Sequence, residues 1–150
     1  MSKNLKDIVI TTALRTPIGR YNGIFKDKHA HELGSIVIKE ILNKSNLKPN
    51  DIDEIIMGQV LTGLTGQNPA RQAAILANIP KEKTAYLINQ VCGSGLRAIV
   101  AGYQSVLLDD SSIIIAGGQE SMTKSTEKMM LKDGLIDAFN NYHMGITAEN

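Results

Sequence analysis

The chain has 150 residues, of which 43% are apolar and 21% charged, with a formal net charge of +1. Such a chain can bury a core within one domain, which excludes disorder, and its near-neutral charge and scattered Lys and Arg argue against nucleic acid as a partner. No apolar stretch is long enough to span a bilayer, and the single Cys excludes an internal disulfide framework and a cysteine metal cluster, so the expected setting is a reducing, cytoplasmic one.

Met1 to Asp7 is polar and runs into Ile8-Val9-Ile10, a short buried-strand signal rather than the apolar segment of a secretion signal. Arg15-Thr16-Pro17-Ile18-Gly19-Arg20 then breaks the pattern and reads as a loop. From His31, the residues Leu33, Ile36, Val37 and Ile41 recur at helical spacing. That helix is expected to end between Asn43 and Asn46, ahead of Lys48-Pro49-Asn50. Ile55-Ile56-Met57 reads as a second strand closed by Gly58. Gly63 to Asn68 is a turn feeding a second helix, with Asn68 as N-cap and Pro69 as the first helical residue. Ala70, Ala73, Ala74 and Ala77 make that helix small-sided, and Asn78-Ile79-Pro80 stops it. Thr84 to Ile88 reads as a third strand, and Leu96, Ile99, Tyr103, Val106 and Leu107 mark a third helix. Ile113-Ile114-Ile115-Ala116 is a fourth strand, apolar throughout, as a strand covered on both faces is.

The order βαβαβαβ implies an α/β fold with a mostly parallel sheet flanked by helices. Residues 1–118 are expected to form this core. Past Gly117-Gly118 the periodicity weakens, so 119–150 reads as an excursion from the core, with a short helix around Ser125 to Leu131. Ile146 to Asn150 looks like the opening of a further helix capped by Thr147. The chain is therefore expected to be the front part of a longer protein.

The only cysteine lies in Asn89-Gln90-Val91-Cys92-Gly93-Ser94-Gly95, after an apolar strand and before a helix. A helix N-terminus offers unpaired N–H groups and partial positive charge, which favour the thiolate, the reactive form of the side chain. Gly93 and Gly95 are expected to leave room for a carbonyl substrate, and the N–H of Cys92 is a candidate oxyanion donor. Position alone leaves two roles open, a nucleophile or a small buried hydrophobe. His29 and His31, at the start of the first helix, suit surface or capping roles. His143, in Asn140-Asn141-Tyr142-His143-Met144-Gly145, is the imidazole placed to fold over the sheet. The histidines lack companions at metal-ligand spacing, and Gly63 to Asn68 lacks the G-x-G-x-x-G pattern of a dinucleotide site.

Asn89-Gln90-Val91-Cys92-Gly93-Ser94-Gly95-Leu96-Arg97-Ala98 resembles the nucleophile motif of the thiolases, the acetyl-CoA acetyltransferases above all. Four other segments agree in order and spacing. Arg15-Thr16-Pro17-Ile18-Gly19 resembles the family's RTPxG start, and Gly66-Gln67-Asn68-Pro69-Ala70-Arg71-Gln72-Ala73 its GQNPARQA segment. Ala116-Gly117-Gly118-Gln119-Glu120-Ser121-Met122 resembles its AGGxExM turn. Lys132 to Phe139 together with Tyr142 to Asn150 resembles its loop-domain signature.

The resemblance implies two similar halves stacked as α-β-α-β-α layers, with a CoA-binding loop domain inserted in the first half and beginning here at 119–150. It implies an acetyl-CoA C-acetyltransferase, condensing two acetyl-CoA to acetoacetyl-CoA and CoA or running the reverse thiolysis. Cys92 is the implied nucleophile, carrying the acyl group as a thioester, with its N–H in the oxyanion hole. His143 and Met144 are the implied substrate-binding residues, lining the acyl pocket beside the pantetheine arm. No metal and no cofactor is implied, since the coenzyme A thioester is the substrate. The third strand and the loop domain are the implied contacts of a homodimer or homotetramer, with Gln67 to Arg71 near the dimer contact.

This chain departs from the family in length. In longer members a second half supplies an Asn-Glu-Ala-Phe segment, a Gly-His-Pro histidine that activates the nucleophile, and a Cys-x-Gly-Gly-Gly cysteine that acts as acid and base. None of these occurs here, so the resemblance implies a fragment that is weakly active or inactive and poorly soluble by itself. Two other outcomes remain open: a catalytically inactive thiolase-like binding or assembly module, and a longer-chain 3-ketoacyl-CoA thiolase. Tyr142-His143-Met144-Gly145 favours the short-chain type.

Overall fold

The computed structural model describes residues 7–150, so the polar start over 1–6 lies outside it. Strands β1 (Glu54–Gly58), β2 (Thr84–Ile88) and β3 (Ile114–Gly118) form a parallel sheet in the order β2-β1-β3. Central β1 is apolar at consecutive positions because both of its faces are covered, and Ile55, Ile56 and Met57 are all buried. Ile55 and Met57 join Ile38 and Leu42 of α1 (Ala30–Ser45) and Ala70, Ala73 and Ala74 of α2 (Pro69–Leu76) in the main core. The alanine face of α2 lets it lie close against α1. Ile56 meets α3 (Ser94–Leu107) instead. A Cβ on Gly102 of that helix would lie 3.4 Å from Ile114 Cγ2 and Ala116 Cβ, and 3.9 Å from Ile56 Cδ1.

Side chains fix where the elements begin. Asn68 Oδ1 accepts the N–H of Arg71 at 3.1 Å, the expected N-cap, while its Nδ2 donates to Ala85 O at 2.9 Å and ties α2 to β2. Asp53 does the same for the sheet. Its Oδ2 accepts the N–H groups of Ser112 (2.9 Å) and Ile113 (3.1 Å), joining the start of β1 to the start of β3. These two donors, aided by Lys83, hold the Asp53 carboxyl below its ordinary range against the opposing effect of burial.

One expected strand does not form. Ile8-Val9-Ile10 makes no ladder with either edge strand, and Val9 and Ile10 are 73% and 76% exposed. Apolar residues specify a strand only where a neighbouring backbone accepts from their N–H groups and donates to their C=O groups, and among the described residues this run has none beside it. The described order is therefore αβαβαβ, with the other three strands and three helices where the sequence placed them.

Residues 119–150 add no strand to the sheet. They hold a single turn at Met122–Lys124, α4 (Glu127–Met130), a π-helical turn at Leu131–Leu135 and α5 (Met144–Glu149). Helix α4 falls within the expected stretch. Helix α5 starts earlier than expected and is capped by His143, whose Nδ1 accepts the N–H of Gly145 at 3.0 Å; Thr147 lies inside it. Every residue from 138 to 150 is exposed. Among the described residues, no helix is long and apolar enough to cross a membrane.

Candidate active site

The carboxyl ends of the three parallel strands, at Gly58, Ile88 and Gly118, stand side by side in register. Loops at that end of a parallel sheet are where ligands are held. Strand β2 leaves the sheet there and turns through Asn89-Gln90-Val91-Cys92-Gly93 into α3. The turn is tight: Gly93 N–H donates to Gln90 O (3.0 Å) and Ser94 N–H to Val91 O (3.1 Å). It places Val91 at φ +47°, a left-handed conformation that crowds a β-branched side chain.

Two polar side chains hold that conformation. Asn89 Oδ1 accepts the N–H of Val91 at 2.9 Å. Ser94 Oγ accepts the N–H of Gln90 at 2.9 Å and donates to Val91 O at 2.6 Å. Ser94 is only 4% exposed, so water does not compete for its hydroxyl. Cys92, next to Val91, carries a free and exposed thiol. That exposure sets aside the buried filler, which was one of the two roles left open by position.

Gly58 sets the height of this turn above the sheet. A Cβ there would fall 2.4 Å from Ser94 C and 2.5 Å from Ser94 O, so the first turn of α3 rests directly on the backbone of β1. Gly93 and Gly95 behave differently from the expectation that they open a path for substrate. A Cβ on Gly93 would meet Gln90 Nε2 at 3.2 Å inside the turn, and one on Gly95 would face Gly118 Cα at 3.7 Å. Both glycines turn their bare side toward protein.

Beside the Cys92 turn, the loops after β1 and β3 are bound to each other by polar groups that the sequence reading did not single out. Buried Gln59 accepts from Gln119 Nε2 at 2.9 Å and donates to Leu61 O at 2.8 Å. Glu120 Oε2 accepts the N–H groups of Val60 (2.8 Å) and Leu61 (3.4 Å). Burial pushes the Glu120 carboxyl above its ordinary range, against the pull of the Val60, Leu61 and Ser121 N–H groups. Glu120 Oε1 and Gln119 Oε1 have no hydrogen-bond partner among the described residues. Both residues line a cavity of about 470 Å³ beneath the loop 14–25, and Cys92 does not line it. Gln119 and Glu120 stand in the Ala116 to Met122 motif, which was the available signal. Gln59 had none, since nothing in its neighbours separates a buried glutamine from an exposed one.

The histidines stay apart from the thiol. His29 is the N-cap of α1, its N–H donating to Glu32 Oε2 at 2.8 Å, and its ring stacks on His31 with centroids 5.4 Å apart. Burial and then the neighbouring His29 hold His31 below its ordinary value, with Glu32 acting in the opposite direction. His143 and Met144 lie on the exposed stretch at the start of α5. Among the described residues no hydrogen bond joins the Cys92 thiol to any histidine, and no cluster of metal-ligating side chains is present. The hydrogen bonds thus define the Cys92 turn, and leave His143 and Met144 outside it.

Comparison with known proteins agrees with the motif pattern. The family model described as the thiolase N-terminal domain matches residues 8–129. The acetyl-CoA acetyltransferase of Paracoccus denitrificans is 50% identical over 158 aligned positions, covering 95% of this chain and 40% of the relative. That of Rhizobium meliloti is 49% identical, with the same coverage of 95% and 40%. A probable acetyl-CoA acyltransferase of Staphylococcus epidermidis is 49% identical, covering 95% and 41%. The chain spans about 40% of the length of the curated relatives it matches.

Proposed function

Because this chain belongs to the thiolase family, we propose that the protein carrying it is an acetyl-CoA C-acetyltransferase working through an acyl-Cys92 intermediate. The Cys92 thiolate attacks the thioester carbonyl of acetyl-CoA, and the Cys92 N–H helps to hold the developing oxyanion. The carbon–sulfur bond to coenzyme A breaks, and coenzyme A leaves as a thiol after taking up a proton. A base then removes an α-proton from a second acetyl-CoA. The resulting carbanion attacks the acetyl carbonyl on Cys92, acetoacetyl-CoA departs, and the thiolate is restored. Read backwards, the same steps are thiolysis.

The observation that carries this reading is the exposed thiol on a strained turn between a parallel strand and a helix, inside the motif that resembles the family's nucleophile. Other assignments rest on the resemblance. His143 and Met144 line the acyl pocket, 119–150 begins the CoA-binding loop domain, and a second half supplies the base and the acid. Two features of the fold suit these assignments. Leu96, Ile99 and Tyr103 form an exposed apolar stripe on α3, a face that a second half would cover. Strand β2 is an edge strand whose outer side is open to pairing across a twofold axis in a homo-oligomer.

Replacing the nucleophile tests the reading. In the intact protein, Cys92→Ser is expected to lower the rate of acetoacetyl-CoA formation by about a thousandfold or more. Turnover within a few-fold of the unsubstituted rate would overturn the assignment. Relative rates on acetoacetyl-CoA and longer 3-ketoacyl-CoA thioesters separate a short-chain enzyme from a longer-chain one.

A further inference from the structure

The turn that exposes Cys92 is held in a conformation its own residue disfavours, and one side chain spans it. Val91 sits at φ +47°. A β-branched residue left to itself relaxes toward negative φ, which would rotate the following peptide and swing Cys92 with it. Ser94 stands across the turn. Its Oγ takes the N–H of Gln90 at 2.9 Å and gives its proton to Val91 O at 2.6 Å, so it ties the peptide entering Gln90 to the peptide leaving Val91 and spans the Val91 Cα between them. It does this from a buried position, 4% exposed, on the first residue of α3, whose backbone is itself seated on Gly58. The grip is therefore anchored to the sheet. Asn89 adds a second hold through Val91 N–H at 2.9 Å, but from the exposed side of the turn.

We infer that Ser94 is a positioning residue for Cys92: its hydroxyl keeps Val91 left-handed and thereby fixes the Cys92 thiol and N–H in the geometry that acylation needs. This inference rests on the proposed acyl-transfer reading for its kinetic consequence. Its structural half, that Ser94 maintains the conformation of Val91, stands independently. Misplacing a reacting group by about 1 Å can lower a rate by about a hundredfold. A hydroxyl that sets the backbone just before the nucleophile can thus weigh heavily on the rate constant while touching no substrate.

The test is a double-substitution cycle in the intact protein, Ser94→Ala made once in the natural background and once together with Val91→Gly. Glycine adopts positive φ without steric penalty, so it removes the strain that Ser94 opposes. Ser94→Ala alone is expected to lower kcat at least about tenfold, with KM for acetyl-CoA nearly unchanged, and Ser94→Thr is expected to recover most of the loss. With Val91→Gly present, the same Ser94→Ala change is expected to cost about twofold or less. An equal loss in both backgrounds, or no loss in either, overturns the inference. A crystal structure of the Ser94→Ala protein supplies the readout that does not depend on activity. Val91 relaxed to negative φ supports the positioning role, and Val91 unchanged near +47° overturns it, whether or not Cys92 proves to be acylated.

Discussion

The stretch from β1 to β3 and the stretch after it are built on different terms. In the first, local bonds from Asn89 and Ser94 shape the Cys92 turn, and contacts from distant parts of the chain set it and its neighbouring loops in place: Gly58 under Ser94, Gln119 on Gln59, Glu120 on the N–H groups of Val60 and Leu61. The second is held mainly by neighbours in sequence. Thr126 caps α4, His143 caps α5, and Asp137 Oδ1 accepts the N–H groups of Phe139 and Asn140 at 2.9 and 2.6 Å. Its main anchors come early, where Met129 reaches Gly63, a Cβ on Gly134 would meet Leu61 Cδ2 at 3.5 Å and Ser121 Oγ donates to Lys28 O. Local hydrogen bonds give a segment its shape without giving it a place. That is why the turn bearing Cys92 is complete while His143 and Met144 stand off it.

The most severe way to break the first region is at Gly58. Gly58→Ala sets a methyl group against the backbone of Ser94 and Gly95, atoms that cannot move without lifting α3 from the sheet. A loss of about 3 kcal/mol in urea unfolding is expected. A loss below 1 kcal/mol would mean that the close seat of α3 is not needed.

A smaller effect is expected at Glu120, and it separates geometry from charge. Glu120→Ala leaves the Val60 and Leu61 N–H groups without their acceptor and is expected to destabilise by about 2 kcal/mol. Glu120→Gln keeps an acceptor and removes the buried charge, so at neutral pH it is expected to match or exceed the natural protein in stability. The sign follows from the raised carboxyl pKa. A folded state that holds its proton more tightly than the unfolded chain is favoured most below the ordinary carboxylate value, about 4.3, and loses that advantage as pH rises through the folded value. Unfolding curves across pH should therefore show the natural protein falling behind Glu120→Gln as pH rises. Parallel curves would contradict the account.

At the bottom of the scale lies Asp137. Asp137→Ala is expected to leave the unfolding midpoint in place and to speed hydrogen exchange at Phe139 and Asn140 alone. A shift of the global midpoint would show that the second region is coupled to the first, and the contrast between them would fail.

The sequence carried the sheet well because period and punctuation are local. Ile55-Ile56-Met57 closed by Gly58, and Thr84 to Ile88 ahead of the Cys92 motif, both appear as strands, and Asn68-Pro69 starts α2 as its chemistry demands. Ile8-Val9-Ile10 shows the limit of that signal, since an apolar run becomes a strand only if a partner lies beside it, and partnership is not local. Cys92 was legible as a candidate through its place before a helix and its motif. The reasons it is held where it is were not. Ser94 and Asn89 look like ordinary turn residues, and the strain at Val91 is a property of backbone angles that a valine in a sequence string conceals. The glycines were legible as glycines but their purpose was misread, because whether a missing Cβ faces substrate or backbone depends on packing.

The most direct test is to mix the intact protein with acetyl-CoA, quench within the first turnover and map the modified peptide by mass spectrometry. The account predicts one acetyl group per chain on the peptide containing Cys92, labile to hydroxylamine as a thioester is, with release of an equal amount of coenzyme A. Coenzyme A release with Cys92 unmodified, or an acetyl group placed on another side chain, would contradict it.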